Sequence, residues 1–294
     1  MSRKLGFAFP GQGSQSVGML LEYFKRSKTF NTIFDISKEV LGIDFKELIN
    51  EGTAEQLSST ETTQPLLLTS NQALWKSTKL NPDQVCLMAG HSLGEYSAYV
   101  AAEAISFEDA LQLVTLRAKY MQEAVKEGEG GIAAIIGLTQ EELLPICNKI
   151  TENGDLVSMA NLNSENQIVI SGSKAGVNLA IESCKERGAK RAIPLAMSVP
   201  SHCKLMTPAS VNFSDALDEV NFSTPKTQVI QNFSVTHSND IETIKENLIS
   251  QLYSPVRWSE IMNRFQKEQI TEFYECGPSK VLTGLIKRKF TDTE

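Results

Sequence analysis

Short apolar runs alternate with longer helical stretches along most of the chain. Runs of five or six mostly apolar residues, the length of a buried strand, lie at 5–9, 84–89, 229–233 and 270–275. Helices are predicted in pieces over 18–58, over 66–76, 95–104 and 241–251, and from 106, 206 and 281 onward. Residues 60–65 are predicted to be a polar loop, because Pro65 suits the first turn of the next helix. The alternation predicts an α/β protein with a mostly parallel sheet and a site at the carboxyl ends of its strands.

The segment between residues 128 and 197 has a different pattern. Its predicted strands are 132–136, 156–161, 167–171 and 191–196, with helices at 139–150 and 174–187. The order β-α-β-β-α-β is that of a ferredoxin-like unit. We therefore predict a small ferredoxin-like subdomain at 128–197, inserted into a catalytic core formed by 1–127 and 198–294.

The pentapeptide Gly90-His91-Ser92-Leu93-Gly94 stands between a predicted strand and an Ala-rich predicted helix. Strand, Gly-x-Ser-x-Gly and helix together are the context of a nucleophile elbow. The serine of such a turn lies at its tip, beside the next backbone N–H and the positive end of the helix. Ser92 is therefore predicted to be a catalytic nucleophile, with an ordinary strand-to-helix turn as the alternative.

The chain offers three histidines as the base for this serine: His91, His202 and His237. A serine hydroxyl is a weak nucleophile unless a base takes its proton, and histidine titrates nearest neutrality. His91 adjoins the serine and should point elsewhere, and His237 lies in a polar run typical of a surface loop. His202 is the best candidate by elimination, with a hydrogen-bonded loop histidine as the alternative. Cys203 is disfavoured as a nucleophile because it has no elbow.

The helix predicted from residue 106 carries a charged residue within its apolar stripe. Arg117 shares one helical face with Ala110, Leu113, Val114 and Met121. A buried guanidinium is costly without an anion or several acceptors. The counter-anion is either an internal Asp or Glu, or a substrate carboxylate bound by both arms of the guanidinium.

Two glutamines are further candidates for the site. Gln12 stands between Gly11 and Gly13 in a loop after the first predicted strand. The dinucleotide and P-loop fingerprints both fail there. The loop is either a plain turn or an element placed against the site, where Gln12 contributes hydrogen bonds. Gln64, at a predicted helix start, either faces a cleft or only caps the helix or faces solvent.

Composition and charge exclude several classes of function. The 294 residues carry a net charge of −7, which argues against nucleic acid or an anionic membrane as the main partner. No apolar run approaches the ~20 residues of a membrane helix, and no histidine pair has zinc-ligand spacing. Five scattered cysteines are typical of reduced thiols in a cytoplasmic protein. The basic residues for an acidic partner are Lys185, Arg187, Lys190, Arg191, Lys287, Arg288 and Lys289, although solvated surface charge accounts for each group.

Several motifs occur together in one order, nearly from end to end of the chain. They are Phe9-Pro10-Gly11-Gln12-Gly13-Ser14-Gln15, the elbow continued by Glu95-Tyr96-Ser97-Ala98, Arg117, Pro200-Ser201-His202, Gln251-Leu252-Tyr253 with Pro255-Val256 and Trp258, and Gly277-Pro278 with Lys280-Val281-Leu282-Thr283-Gly284. Together they resemble the malonyl-CoA:acyl carrier protein transacylases of type II fatty acid synthesis. This resemblance implies an α/β-hydrolase-like core with the ferredoxin-like insert.

The resemblance also implies a role for each motif. Ser92 would be the nucleophile, and His202 would be its general base and acid. The family has no triad acid, and a backbone carbonyl orients the histidine instead. The oxyanion hole would be formed by the N–H groups of Gln12 and Leu93. The malonate would be bound by Arg117 with Gln64 and Met121. The supporting residues would be Gln251 and Asn232.

The implied reaction passes a malonyl group from malonyl-CoA, through a malonyl-serine ester, to the phosphopantetheine thiol of acyl carrier protein. It would need no cofactor and no metal, and a cytoplasmic monomer is expected. The alternatives are a serine hydrolase such as a thioesterase, a polyketide acyltransferase with a broader extender range, and a non-catalytic module that binds carrier protein. Ser201 leaves strict malonyl selectivity open, because malonyl-selective polyketide relatives have Phe there. Ser279 replaces a usual Gly, with no functional effect expected.

Overall fold

A computed structural model of the protein describes the backbone of residues 3–197 and 199–290, and the side chains of that part as far as residue 285. The basic residues predicted at 287–289 lie outside the described side chains. The elements are β1 (Leu5–Phe9), α1 (Leu21–Arg26), α2 (Lys28–Leu41), α3 (Phe45–Glu51), α4 (Ala54–Ser58), α5 (Thr60–Thr78), β2 (Leu87–Gly90), α6 (Gly94–Ala101), α7 (Phe107–Glu123), β3 (Gly130–Ile136), α8 (Gln140–Glu152), β4 (Val157–Ser164), β5 (Gln167–Ser173), α9 (Lys174–Glu186), β6 (Arg191–Pro194), α10 (Thr207–Asp218), β7 (Gln228–Ile230), α11 (Ile241–Tyr253), α12 (Trp258–Lys267), β8 (Glu272–Glu275) and α13 (Val281–Phe290).

The first sheet is parallel and has the strand order β7-β2-β1-β8. Phe7 and Ala8 are both buried but belong to different apolar cores. This is expected where successive side chains point to opposite faces of a sheet that is covered on both sides. Phe9 pairs with Gly90 at the carboxyl ends of β1 and β2. The loop after β1 and the turn after β2 therefore leave the sheet side by side.

The second sheet is antiparallel, with the order β4-β5-β3-β6. Helices α8 and α9 contribute to a core that includes Ile135, Leu143, Ile170 and Ile181. These elements have the order β-α-β-β-α-β of a ferredoxin-like unit. The predicted mixed α/β fold, with a parallel sheet and a separate antiparallel sheet, is confirmed. The limits of the subdomain at residues 128 and 197 stay a prediction.

Backbone hydrogen bonds connect strand β4 to the loop before α12. The N–H of Leu162 donates to the carbonyl of Val256 (2.8 Å), and the N–H of Val256 donates to the carbonyl of Ala160 (2.8 Å). The loop that carries Val256 comes just before the fully buried Trp258. Asn161, between Ala160 and Leu162, is thereby held beside the loop that carries Val256.

Helix α5 corrects the prediction of a loop at 60–65. These residues are helical, and the side chain of Ser59 caps the helix by accepting the N–H of Thr62. Every residue of 63–75 is buried, so tertiary packing outweighs the usual cost of Pro65 inside a helix. Gln64 consequently lies in the second turn and not at the helix start.

Other element limits differ by a few residues from the prediction. Strand β2 begins only at Leu87, after a 3₁₀ turn at Pro82–Gln84, and the helix after the elbow ends at Ala101. Strand β7 ends at Ile230. Asn232 is therefore in the loop beyond β7, at the same edge of the sheet as the turn after β2.

Candidate active site

Ser92 occupies a sharp turn between β2 and α6, with a positive φ of 53°. The turn needs glycine on both sides. A Cβ on Gly90 would lie 1.8 Å from the carbonyl carbon of Gly94, and a Cβ on Gly94 would lie 1.9 Å from the carbonyl oxygen of Phe9. The two glycines let the backbone of β1, β2 and α6 approach closely, which presents Ser92 at the carboxyl edge of the sheet.

His202 reaches the serine from the segment that follows the second sheet. Its Nε2 lies 2.7 Å from Ser92 Oγ, and its Nδ1 lies 2.7 Å from the backbone carbonyl of Gln251. Nδ1 carries the proton in the tautomer that this carbonyl favours, which leaves Nε2 free to accept the serine proton. Burial, and next the charge of Arg117, lower the pKa of His202 to about 3, so the ring is neutral near pH 7.

Arg117 points from α7 toward the same hydroxyl. The residue is 1% exposed, and its Nη2 lies 3.4 Å from Ser92 Oγ. Nη1 donates to Gln64 Oε1 (2.7 Å) and Nη2 donates to Gln251 Oε1 (2.9 Å). Among the described residues no Asp or Glu forms a salt bridge with Arg117. Its partners in the protein are neutral amides, and burial lowers the pKa of the guanidinium.

Met121 lies one helical turn beyond Arg117. Its sulfur accepts the Nε2 amide of Gln64 at 3.6 Å, which sets the amide so that Gln64 Oε1 faces the guanidinium. Both Gln64 and Met121 line the cavity in front of Ser92.

Asn232 and Gln251 hold the elbow from the other side. Asn232 Oδ1 accepts the N–H of Ser92 (2.7 Å), and its Nδ2 donates to the carbonyl of Gly90 (2.6 Å). The Nε2 of Gln251 donates to the carbonyl of Ser92 (3.1 Å). Two of these bonds satisfy the backbone N–H and carbonyl of Ser92, whose left-handed conformation disfavours most side chains, and the third holds the carbonyl of Gly90.

Sequence reasoning assigned no role to Glu95, which is 0% exposed beneath the site. Its Oε2 accepts the N–H of Asn232 (3.0 Å) and the Nε2 of Gln251 (2.7 Å). The sequence feature that could have identified Glu95 is its position in the Ala-rich helix α6. Every residue of this helix is buried. A charged residue within such a helix indicates a buried polar network.

The loop after β1 lies against the elbow. A Cβ on Gly11 would lie 2.4 Å from the carbonyl oxygen of His91 and 3.6 Å from the backbone nitrogen of Leu93. Among the described residues, the backbone N–H groups of Gln12 and Leu93 have no hydrogen-bond acceptor. Two unpaired N–H groups on segments that meet beside a nucleophilic serine are the kind of donors that an oxyanion requires. The side chain of Gln12 donates to the carbonyl of Ser58 (3.4 Å).

A cavity of about 500 Å³ opens in front of these groups, between the two sheets. Its apolar wall comes from the second sheet, from the segment just after β6 and from α13. The side chains of this wall are Ile132, Ala134, Val169, Leu195, Met197, Val281, Leu282 and Leu285. A long apolar or amide-containing arm could therefore lie between the sheets while its end reaches Ser92.

Other residues weighed from the sequence take different positions. His91 Nε2 bonds to Asn163 Oδ1 (2.8 Å), and its ring lies 5.4 Å from that of Trp258. The buried thiol of Cys203 donates to the carbonyl of Pro200 (3.1 Å). Within 3–197 and 199–290 no group of His, Cys, Asp and Glu could hold a metal ion, and no helix is long and apolar enough to cross a membrane.

A serine on an elbow, an imidazole within hydrogen-bond distance and two free N–H groups are the arrangement typical of enzymes that form acyl-serine esters. Comparison with known protein families shows which of these enzymes the chain resembles. The chain belongs to the family described as the acyl transferase domain, whose model matches residues 6–293. The protein is therefore an acyltransferase.

Similar proteins cover nearly all of the chain. It is 47% identical to the malonyl CoA-acyl carrier protein transacylase of Bacillus subtilis over 97% of this chain and 90% of that protein. It is 46% identical to the Salmonella typhimurium transacylase of that name, over 97% and 92%. The resemblance seen in the motifs is thus confirmed.

Solved structures agree with this assignment. The malonyl CoA-acyl carrier protein transacylase of Coxiella burnetii superimposes with a TM-score of 0.94 at 42% identity, covering 97% of this chain and 90% of that one. A malonyl-transacylase in complex with its type II PKS acyl-carrier protein gives a TM-score of 0.94 at 43% identity, with coverage of 97% and 92%.

Proposed function

We propose that this acyltransferase moves the malonyl group of malonyl-CoA to the phosphopantetheine thiol of acyl carrier protein, through an ester on Ser92. The product would supply extender units for fatty acid synthesis. The relatives named malonyl CoA-acyl carrier protein transacylase support the substrate pair.

The observation that carries the proposal is the buried guanidinium beside the nucleophile. Arg117 Nη2 lies 3.4 Å from Ser92 Oγ, and the neighbours that hold the guanidinium are the amides of Gln64 and Gln251. Neutral partners orient the guanidinium without neutralising it. An acyl group with a free carboxylate places an anion in direct contact with the guanidinium, whereas an acetyl group leaves it with no bonded anion, at a cost of ~1–3 kcal/mol.

The first half-reaction forms the ester. Ser92 Oγ attacks the thioester carbonyl while His202 Nε2 takes the hydroxyl proton. The N–H groups of Gln12 and Leu93 bind the oxyanion, each lowering the barrier by about 3 kcal/mol. When the tetrahedral intermediate collapses, the C–S bond breaks and His202 gives the proton to the departing thiolate of CoA.

The second half-reaction repeats these steps with a different thiol. The phosphopantetheine thiol of the carrier protein gives its proton to His202 and attacks the malonyl ester. The new C–S bond forms, the C–O bond to Ser92 breaks, and the proton returns to the serine oxygen. The apolar wall of the cavity suits the pantetheine arm that CoA and carrier protein share.

Binding of the substrate carboxylate should also strengthen the base. The charge of Arg117 is one of the causes that hold the pKa of His202 low. A carboxylate on the guanidinium offsets that charge and raises the pKa of the imidazole. Malonyl-CoA would thereby improve the base that its own transfer needs.

The remaining roles are structural. The carbonyl of Gln251 orients His202, Asn232 fixes the elbow, and Gln64 with Met121 sets the guanidinium. The scheme uses no cofactor and no metal, and the carrier protein is the macromolecular partner. The monomeric state, the cytoplasmic location and the limits of the subdomain stay predictions.

The proposal is tested by following the acyl group. Incubation with malonyl-CoA should leave a malonyl adduct on Ser92, seen by peptide mass spectrometry, that moves to acyl carrier protein faster than to water. Ser92→Ala should abolish both the adduct and the transfer. Rapid release of free malonate would favour a hydrolase, and full function of Ser92→Ala would favour a non-catalytic module that binds carrier protein.

A polyketide pathway is the second candidate for the product. One similar structure is a malonyl-transacylase bound to a type II PKS acyl-carrier protein, so this fold also serves such carriers. Transfer rates to a fatty acid and a polyketide carrier protein, with malonyl-, methylmalonyl- and acetyl-CoA as donors, separate the two. Preference for the polyketide carrier, or equal use of methylmalonyl-CoA, would contradict a role confined to fatty acid synthesis.

A further inference from the structure

The proposed mechanism leaves Glu95 unused, although Glu95 is exceptional among the described side chains. Among the residues whose side chains are described, it is the only buried Asp or Glu and Arg117 is the only buried Lys or Arg, at 0% and 1% exposed. One amide joins the two. Arg117 Nη2 donates to Gln251 Oε1 (2.9 Å), and Gln251 Nε2 donates to Glu95 Oε2 (2.7 Å). Two opposite charges that water does not reach thus share one bridging side chain.

The two oxygens of Glu95 have unequal surroundings. Oε2 accepts the N–H of Asn232 and the amide of Gln251, whereas Oε1 has no donor within hydrogen-bond distance among the described residues. The side-chain amide of Gln231 also lies near this carboxylate and lowers its pKa. A buried carboxylate is costly when one oxygen has no donor. A proton on Oε1 removes that charge and leaves both bonds to Oε2 in place.

We infer that Glu95 is the internal counter-charge of Arg117 while the site is empty, and that it takes up a proton when a malonyl carboxylate binds the guanidinium. The inference rests on the proposed function, since it requires malonate at Arg117. The proton comes from water. The proton of Ser92 leaves on the thiol of CoA, so malonyl loading binds a further proton that the transfer itself does not consume.

Electrostatics supports this exchange near neutral pH. Burial raises the pKa of Glu95 to about 7, although Arg117 acts in the opposite direction. A second carboxylate at the guanidinium offsets the stabilising charge and adds a repulsive one, and both effects raise the pKa of Glu95 further. The empty site therefore holds a partly ionised Glu95 and the loaded site a protonated one.

Apart from the cationic Arg117, the other titratable groups around Glu95 stay neutral in this range. Burial raises the pKa of Tyr96 and of Tyr99 on the same helix. His202, from the segment after the second sheet, has a pKa lowered to about 3, and burial also lowers that of His91. The side chains that reach Glu95 from the β7 loop and from α11 are amides. Glu95 is thus the group of the site that titrates between about pH 6 and 8.

The experiment measures proton uptake and the loading equilibrium together. Enzyme and malonyl-CoA are mixed with excess CoA, and the malonylated fraction is read by intact mass spectrometry from about pH 6 to 8.5. In parallel, an indicator dye in weak buffer near about pH 7 reports protons taken up on loading. We expect uptake of a fraction of a proton per site. The equilibrium constant for malonyl loading should decrease as the pH rises, by a factor that approaches ten per pH unit above about pH 7.

Glu95→Gln is the informative variant. Glutamine keeps one oxygen for Asn232 and Gln251 and puts an amide where Oε1 stands, but it cannot titrate. Its loading constant should not fall with pH, and its dye signal should vanish. Glu108→Gln, which changes an exposed carboxylate on α7, should behave as wild type. Ionisation of the CoA thiol affects all three proteins alike and cancels in their ratios.

The outcomes separate this inference from the function on which it rests. Wild-type enzyme that forms malonyl-Ser92 without proton uptake overturns the inference and leaves the function intact. A pH slope that persists in Glu95→Gln also overturns it, because a purely structural role would leave the slope unchanged. Absence of any adduct on Ser92 overturns both. If Glu95→Gln does not fold, the dye measurement on the wild type decides alone.

Discussion

The guanidinium of Arg117 lies 3.4 Å from the hydroxyl oxygen of Ser92, through its Nη2 atom. The group is buried, stacks 5.4 Å above the ring of Tyr96, and is oriented by amides. In the proposed reaction, the group that binds the acyl carboxylate and the nucleophile therefore lie within about one hydrogen-bond distance of each other. A change at Arg117 should therefore alter both the choice of substrate and the rate.

Arg117→Ala should change which acyl group is transferred. Loss of the charged contact to the malonyl carboxylate should lower kcat/KM for malonyl-CoA about 10- to 100-fold. Acetyl-CoA should gain relative to malonyl-CoA, because no unpaired charge remains in the site. Steady-state transfer rates with both donors measure the two effects.

Lys119→Ala is the matched control for this change. Lys119 is an exposed cation on the same helix, 3.9 Å from Glu123, and its removal should leave the ratio of malonyl to acetyl transfer unchanged. An Arg117→Ala enzyme with the wild-type ratio would mean that the guanidinium does not bind the substrate carboxylate.

Gly11→Ala should displace the proposed oxyanion donors without changing the reacting side chains. The added Cβ would lie 2.4 Å from the carbonyl oxygen of His91, so the loop that carries Gln12 must move away from the elbow. Loss of one oxyanion donor typically costs 10²–10³ in rate, and we expect kcat to fall by about 100-fold with little change in KM. Stopped-flow measurement of the acylation step reports this directly.

Gly284→Ala is the matched control, because it adds the same methyl group at a glycine where no clash follows. A Cβ at Gly284 meets no atom within 4 Å, so this variant should keep the wild-type acylation rate. Equal rates for Gly11→Ala and the wild type would exclude the Gln12 loop from the oxyanion hole.

Local patterns in the sequence identified the parts of the site that depend on local geometry. The glycines of the elbow and the helical period that puts Arg117 among apolar residues are both short-range features. The motif carrying His202 came from family resemblance and elimination, because nothing near it in the chain marks it as a base.

The network beneath the elbow could not be found in this way. Glu95 meets Asn232 and Gln251, which lie 137 and 156 residues further along the chain. Pairings at such separation depend on how the sheet and α11 are placed, and this is not encoded in any one segment. Helix α5 was similarly mispredicted at its start, since burial of 63–75 and not local propensity sets where it begins.

Asn232→Asp should loosen the elbow. An aspartate keeps the acceptor for the N–H of Ser92, but its second oxygen would face the carbonyl of Gly90, to which Asn232 now donates at 2.6 Å. A buried acceptor left without its donor costs ~1–3 kcal/mol, so the urea midpoint and kcat should both decrease. Asn239→Asp, in an exposed part of the same loop, should change neither. Wild-type stability in Asn232→Asp would mean that the backbone holds the elbow without this side chain.

His202 should make the stability of the protein more sensitive to acid than that of a variant without the imidazole. Its pKa is about 3 in the folded protein against an ordinary value of 6.5. Between these values the unfolded chain binds the proton and the folded chain does not, so this contribution to stability is lost as the pH falls below 6.5. Relative to His202→Asn, the free energy of unfolding of the wild type should drop by about 2 kcal/mol between pH 7 and 5. Urea unfolding of both proteins at the two pH values measures this, and titration of Glu95 cancels because both carry it. A difference that is the same at both pH values would show that the folded protein accepts a proton on His202 as readily as the unfolded chain, and would remove the basis for a base kept neutral by burial.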